Sequence, residues 1–286
     1  MLQKIYDEAK KNERAVAGFL RDLIAIKSMS SQEANVIARV KQEMEKCKFD
    51  EITIDPMGNI IGRIGHGKHI IAFDAHVDTV DVGNPENWKV DPFKGDEKDG
   101  IIYGRGACDM KGALASIIYG GKIIKDLGLE DDYTLYVVGS VQEEDCDGLC
   151  WQYIINENKL RPEIVVITEP TNLAVYRGHR GRMEIEVRTK GISCHGSAPE
   201  RGVNAVYKMA PIVLDIEKLN ERLGGEPFLG KGTVTIAEFR STSPSLCAVA
   251  DSATIHLDRR LAASDTLESA VKEIQDLPSV KAANAE

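Results

Sequence analysis

The sequence predicts an α/β fold: a mostly parallel sheet with helices on both faces, followed by a smaller α+β unit. Three observations carry that prediction. Up to residue 179, apolar strand-type runs alternate with segments of helical period, the pattern of a parallel sheet wrapped by helices. Several of those runs stop at acidic or imidazole residues, as in Ile70-Ile71-Ala72-Phe73-Asp74-Ala75-His76-Val77-Asp78. Beyond Arg177 the texture changes: Met183 to Thr189 alternates apolar and polar, as half-exposed antiparallel strands do. A boundary at 179 follows, giving 1–179 and 180–286.

Taken in order, the first helix is marked by Val16, Phe19, Leu20, Leu23 and Ile24, spaced i, i+3, i+4, i+7, i+8. Ser30-x-x-Glu33 reads as a capping box opening a second helix with Val36, Ile37, Val40 and Met44 inward. Short strands follow at 51–54, 59–64 and 69–75, the first two as a hairpin. The acidic stretch Asp81 to Gly100, with Trp88 and Phe93 inside it, is a long loop ordered by its aromatics or by function. Tyr103 to Gly112 then runs into a helix bearing Leu114, Ile117, Ile118 and Ile124. The strand Tyr133 to Val141 ends in Gln142-Glu143-Glu144-Asp145, a helix covers Trp151 to Asn156, and the strand Glu163 to Ile167 ends in Thr168-Glu169-Pro170. The second unit reads β-α-β-β-α, a size suited to one small domain.

Composition narrows the function. Of 286 residues, 43% are hydrophobic and 28% charged, with net charge −9. That balance argues against nucleic acid and anionic membranes, which select basic patches. No apolar run approaches the ~20 residues that span a bilayer. Met1-Leu2-Gln3-Lys4-Ile5-Tyr6-Asp7-Glu8 is already amphipathic and charged, so no secretory leader is expected. The six cysteines (Cys47, Cys108, Cys146, Cys150, Cys194, Cys247) form no framework, which fits reduced thiols in the cytoplasm.

The chemistry-bearing residues are His76, Asp78, Asp109, Glu143, Glu144 and Glu169, all where apolar strands stop or just after. His-x-Asp alone is an ordinary way for a strand to run into a polar loop. In open α/β sheets, however, ligands bind at the carboxyl ends of strands. In a strand, residues i and i+2 share a face, so His76 and Asp78 emerge together, a metal ligand beside the carboxylate that orients it. So many carboxylates cannot share a crevice without a cation. One histidine among Asp and Glu suits zinc, cobalt or manganese. The number of carboxylates suggests two ions, with Asp109 as a bridge. Glu143 and Glu144 are adjacent, so one can ligate while the other stays free as a base.

His76-Val77-Asp78, Gly104-Arg105-Gly106-x-x-Asp109-Met110-Lys111-Gly112, Glu143-Glu144 and Glu169-Pro170 resemble the four signature segments of the dinuclear zinc peptidase/aminoacylase family. That family includes acetylornithine deacetylase, succinyl-diaminopimelate desuccinylase and related carboxypeptidases. Within it, the segments Gln142 to Trp151 and Cys194 to Gly202 look most like the selenium-metabolism-linked hydrolases of YgeY type. The resemblance implies a zinc-peptidase-like catalytic domain over 1–179 and an inserted lid/dimerisation domain over 180–286. It implies two divalent ions, zinc first: His76, Asp109 and Glu169 on one, Asp109 and Glu144 on the other. Asp78 would orient His76. Glu143 would act as general base and then general acid, and His195 would stabilise the oxyanion. Asn204, Arg259 and Arg260 sit where the family places substrate contacts. A homodimer through the lid, and amide hydrolysis of an amino-acid derivative or short peptide, complete the expectation.

One departure stands out. The family's second metal takes a histidine from a final catalytic stretch after the lid, and no histidine follows His256 here. The chain therefore resembles the first part of a family member, and its sheet is expected to expose an apolar face. The competing expectation is a catalytically impaired fragment that binds metal or a small molecule and dimerises. Three further motifs are set aside. Gly104-x-Gly106 lacks the third glycine of a dinucleotide fingerprint. Gly225-Glu226-Pro227-Phe228-Leu229-Gly230-Lys231-Gly232 lacks the Ser or Thr of a phosphate loop. Cys108 beside Asp109 and Cys194 beside His195 are poor nucleophile pairs, since sequence neighbours rarely meet that way.

Overall fold

The computed structural model describes residues Met1 to Glu286, and the chain divides into two compact units, Met1–Ala174 and Val175–Glu286. No helix in either is long and apolar enough to cross a membrane.

The first unit opens with α1 (Leu2–Ala25) and α2 (Ala34–Lys46). It continues with β1 (Glu51–Ile54), β2 (Ile60–Gly65), β3 (His69–His76) and the small hairpin β4 (Asp96–Lys98) and β5 (Ile101–Tyr103). Then come α3 (Gly112–Asp126), β6 (Tyr133–Ser140), α4 (Glu143–Cys146), α5 (Leu149–Asn156) and β7 (Ile164–Ile167). The main sheet has the order β1-β2-β6-β3-β7. Strand β3 is parallel to both β6 and β7, whereas β2 is antiparallel to β1 and β6. The sheet is thus mixed: a parallel core extended by a hairpin. The link from β1 to β2 is a tight turn in which Asp55 accepts the N–H groups of Gly58 and Asn59. So short a link permits only antiparallel pairing.

Both faces of this sheet are covered over β2, β6 and most of β3, though not over β7. On one, Phe19, Leu23, Val36, Val40, Met44, Leu114 and Ile118 from the three long helices pack against Ile60, Ile64, Ala75 and Val137. On the other, Ile154 and Trp151 of α5 pack against Ile61, Val138 and Tyr136. Each fully buried Leu, Ile or Val contributes about 1.5–3 kcal/mol. Helix α1 stops where Ile26 turns extended. Its last carbonyls are satisfied by Lys111, whose buried Nζ donates to Leu23 O and Ile26 O at 2.9 Å each. Burial drives the Lys111 pKa down to about 8.

The expected capping box is not formed. Glu33 is the N-cap of α2, but its side chain makes no cap hydrogen bond. Ser30 and Glu33 reach elsewhere, to the segments that carry the candidate site. The long loop is ordered by its aromatics: Trp88 Nε1 donates to Val82 O at 2.9 Å, Arg105 lies over the Trp88 ring and Lys27 over Phe93. At its open side the sheet exposes β7, with Ile164 58% and Ile167 59% accessible.

The second unit holds β8 (Gly181–Lys190), α6 (Ala205–Arg222), a short hairpin of β9 (Gly225–Glu226) and β10 (Gly230–Lys231), β11 (Thr233–Thr242) and β12 (Ser252–Leu261). Helices α7 (Leu267–Gln275) and α8 (Pro278–Ala283) follow. Its antiparallel sheet, β11-β12-β8, packs one face on α6, α7 and α8 through Val187, Val234, Ile255, Leu257, Met209, Ile212 and Ile274. A true capping box does occur here: Thr266 accepts from Ser269 N, and Ser269 Oγ accepts from Thr266 N.

Candidate metal centre

Four segments deliver the site. His76 is the last residue of β3, and Asp78 follows two residues on. Asp109 lies in the bend before α3, Glu143 and Glu144 open α4 after β6, and Glu169 follows β7. Because β3, β6 and β7 are parallel neighbours, their carboxyl ends coincide. Side chains far apart in sequence therefore meet.

At the centre is His76, 1% exposed. Its Nδ1 lies 2.8 Å from the Asp78 carbonyl oxygen, an acceptor, so Nδ1 carries the proton and Nε2 faces the carboxylates. From Nε2 the distances are 3.0 Å to Asp109 Oδ1, 3.8 Å to Glu169 Oε1 and 3.9 Å to Glu143 Oε2. Two trios of donor atoms lie within 4.8 Å of one another: His76, Glu143 and Glu169, and His76, Asp109 and Glu144. Gly106 makes the Asp109 segment possible. It has φ +80°, and a Cβ there would stand 2.8 Å from Thr79 Cγ2 and 3.0 Å from Lys111 Cδ.

The electrostatics show what this set of groups asks for. Burial raises the pKa of Glu143 and of Glu144, and pushes Glu169 up to about 7 with help from Asp109 and Glu143. Burial opposes a charge on His76. The carboxylates of Asp109 and Asp78 overcome that opposition and push it up to about 11. One imidazole thus serves a cluster of carboxylates whose joint ionisation it cannot balance. Oxygen donors with one imidazole nitrogen, gathered in two overlapping trios, suit hard to borderline divalent cations. The residues therefore fit a metal centre.

Asp78 is fully buried and is the hub behind the ligands. Its Oδ1 accepts the Glu143 N–H and its Oδ2 the Glu144 N–H, each at 3.1 Å. Ser30 Oγ donates to Oδ2 at 2.6 Å, and His76 Nδ1 lies 3.5 Å from Oδ1. These bonds hold the Asp78 pKa down although burial alone would raise it. Three supporting residues escape a sequence reading: Ser30, Glu33 and Asn59. Glu33 Oε1 accepts the Gln142 N–H at 3.0 Å, and Asn59 Oδ1 accepts the Val141 N–H at 3.1 Å. Only Ser30 and Glu33 carried a signal, and it pointed to a helix cap.

The remaining expected site residues belong to the second unit. His195 is exposed and bridges Ala248 in backbone pairing. Its Nδ1 accepts the Ser197 N–H at 3.2 Å, which leaves Nε2 to carry the proton in the neutral ring. Asn204 caps α6, its Oδ1 accepting from Val206 N and Tyr207 N. Arg259 is a correction. It is 1% exposed and donates to Glu273 at 2.9 Å, Asp265 at 3.2 Å and the Arg260 carbonyl at 2.6 Å. A guanidinium so enclosed ties β12 to α7 and has no face for a ligand. Gly232, from the stretch resembling a phosphate loop, makes room for it: a Cβ there would stand 2.6 Å from Arg259 Nη1. Arg260 is half-exposed and paired with Asp258 at 2.7 Å.

The chain is similar to known proteins over most of its length. A family model described as peptidase family M20/M25/M40 matches residues 72–280. The chain is 57% identical over 281 residues to the Escherichia coli protein YgeY, covering 98% of this chain and 70% of that one. It is 29% identical over 203 residues to a probable succinyl-diaminopimelate desuccinylase of Staphylococcus epidermidis, covering 70% of this chain and 50% of the relative. Among solved structures, human carnosine dipeptidase 1 superposes with a TM-score of 0.74 at 14% identity, covering 100% of this chain and 79% of that one. The Bacillus subtilis YxeP protein, described as a dinuclear metal-binding peptidase of the M20 family, gives a TM-score of 0.61 at 16% identity, covering 97% and 72%.

Proposed function

The chain belongs to peptidase family M20/M25/M40 and is a metal-dependent amide hydrolase acting on small-molecule or peptide substrates; from that premise we propose a deacylase or peptidase working with two zinc ions. The observation that carries the reading is the convergence of Asp109 and Glu169 on His76 Nε2, with Glu144 grouped beside Asp109. His76, Asp109 and Glu169 would hold one ion, with Asp109 and Glu144 holding the other. When bound, the ions would polarise the scissile carbonyl and lower the pKa of the attacking water.

The chain's own residues supply the rest. Asp78 fixes His76 through its carbonyl and carboxylate. It also fixes the backbone of Glu143 and Glu144. Glu143, with a pKa raised by burial, takes the proton of the attacking water on its carboxylate. It then returns that proton to the leaving amine. His195 offers Nε2–H to the tetrahedral oxyanion, and Asn204 offers the amide nitrogen that its capping role leaves over. We further read the protein as a cytoplasmic homodimer joined through its second unit, without nucleic-acid or membrane partners. The net charge of −9 supports the absence of nucleic-acid and membrane partners, the six free thiols support the cytoplasmic location, and the homodimer rests on the family resemblance of the second unit.

The test is metal content by atomic emission together with hydrolysis of a panel of N-acyl amino acids and dipeptides. Glu143→Gln is expected to keep its metal and lose about 10²–10⁴-fold in turnover. Full activity in that variant would remove Glu143 as the base.

A further inference from the structure

From the loop joining α1 to α2, we infer that Glu33 is a positioning residue for the metal centre: its buried carboxylate sets the backbone turn that aims Glu143 and Glu144. The inference rests on the metal-centre reading above and adds a residue to it.

Gln142 adopts a left-handed conformation, φ 59° and ψ 28°, directly before α4. A non-glycine residue there needs outside support. Helix α4 is one turn long, so it cannot hold its own start by cooperativity. What holds it is a pair of buried carboxylates dividing three successive N–H groups. Glu33 takes Gln142, and Asp78 takes Glu143 and Glu144. Glu33 is 6% exposed, and its Oε1 also accepts the Ser31 N–H at 2.9 Å, with Ser31 itself at φ 67°. A buried carboxylate without a cationic partner is costly, so two charge-assisted bonds to strained backbone are the return on that cost. The same loop also binds the His76 side of the centre. Ser28 Oγ donates to Val77 O at 2.8 Å, Thr79 N donates to Ser28 O, and Ser30 donates to Asp78. One short loop therefore ties together the ends of β3 and β6, which supply His76 and the two glutamates.

Glu33 touches neither a reacting atom nor a proposed ligand side chain, so it acts only through the backbone. Its variants should therefore change metal binding in the folded protein. The probe is cobalt(II) alone, titrated into the full chain well below the melting temperature, with the visible absorption of the bound ion recorded. Groups supporting metal ligands typically change metal affinity 10–100-fold when removed. Glu33→Ala is expected to weaken cobalt binding at least about 10-fold at one of two sites and to alter its visible spectrum. Glu33→Gln keeps an acceptor oxygen of the same reach and is expected to stay within about threefold of the parent. If Glu33→Ala fails to fold, Glu33→Asp, one methylene too short to reach Gln142, takes its place and should lose affinity in the same way. A folded Glu33→Ala or Glu33→Asp protein with the parent's affinity and spectrum would overturn the inference. So would an equal loss in Glu33→Gln. A parent that binds no cobalt would overturn the metal-centre reading together with it, whereas a parent that binds two ions with indifferent Glu33 variants would sink the positioning role alone.

Discussion

Each unit buries one basic side chain among carboxylates, and the two arrangements balance differently. In the second unit Arg259 meets Asp265 and Glu273, which keep 20% and 36% of their side chains in solvent. A permanent guanidinium shared by two acids that keep contact with solvent packs β12 against α7, with only its Nε left without a partner. In the first unit His76 is equally buried, but Asp78, Asp109, Glu143 and Glu169 all approach it, with Glu144 in the same group as Asp109. One imidazole cannot balance them. A buried charge therefore says little by itself. A surplus of one sign, held in place by hydrogen bonds from behind, marks the site that takes a cation.

The comparison can be broken at several points. His76 is the imidazole ligand of one proposed ion, so His76→Ala is expected to lose that ion and to weaken the neighbouring site through the shared Asp109, with atomic emission reading about one ion per chain or fewer. Two ions retained in that variant would detach the surplus charge from metal binding. Arg259→Ala leaves Asp265 and Glu273 facing a cavity and should cost about 3–5 kcal/mol in denaturant unfolding. It should not alter metal content, and a change there would contradict its purely structural place.

Glu169 sharpens the contrast through pH. Its pKa is pushed to about 7 from an ordinary 4.5, chiefly by burial and then by its acidic neighbours. A raised pKa gives stability that is present below 4.5 and lost as pH climbs through 7. Chelated Glu169→Gln protein should therefore be the more stable of the two above pH 7, by about 1 kcal/mol once solvent screening of this partly exposed side chain is allowed for. The gain should fade toward pH 4.5 and vanish below it. A destabilised variant would place Glu169 in a balanced pair like those of Arg259. An effect of similar size, unconnected with the metal centre, is expected at Thr266→Ala, which removes the capping box of α7 and should lower stability by about 1 kcal/mol in thermal unfolding.

That last residue bears on what a sequence can reveal. Thr266 and Ser269 form a capping box, whereas the better match to the pattern, Ser30-x-x-Glu33, spends both side chains on the metal centre. The pattern names residues able to cap, and the fold chooses whether they do. The strand-end residues were easier. His76, Glu143, Glu144 and Glu169 stand at or just after the ends of apolar runs, and parallel strands bring such ends together whatever the details of packing, whereas Asp109 comes from the bend before α3. The substrate expectation for Arg259 came from the family resemblance, whereas the strand's own period sets Arg259 on the buried face in step with Ala253, Ile255 and Leu257. The antiparallel half of the main sheet was half legible: the β1–β2 hairpin followed from its turn, but the pairing of β2 with β6 crosses the 67 residues between Gly65 and Tyr133 and leaves no local mark.

By itself the sequence determined the fold class, the ligand chemistry and the segments that bear it, since hydrophobic period and residue type are local quantities. Tertiary structure alone decided which groups stand behind the ligands. Ser30 meets Asp78 across 48 positions, Glu143 meets Asp78 across 65, and Gln142 meets Glu33 across 109. Hydrogen bonds between such distant segments have no periodicity to announce them. They exist because three parallel strand ends and one loop converge, and convergence belongs to the folded chain.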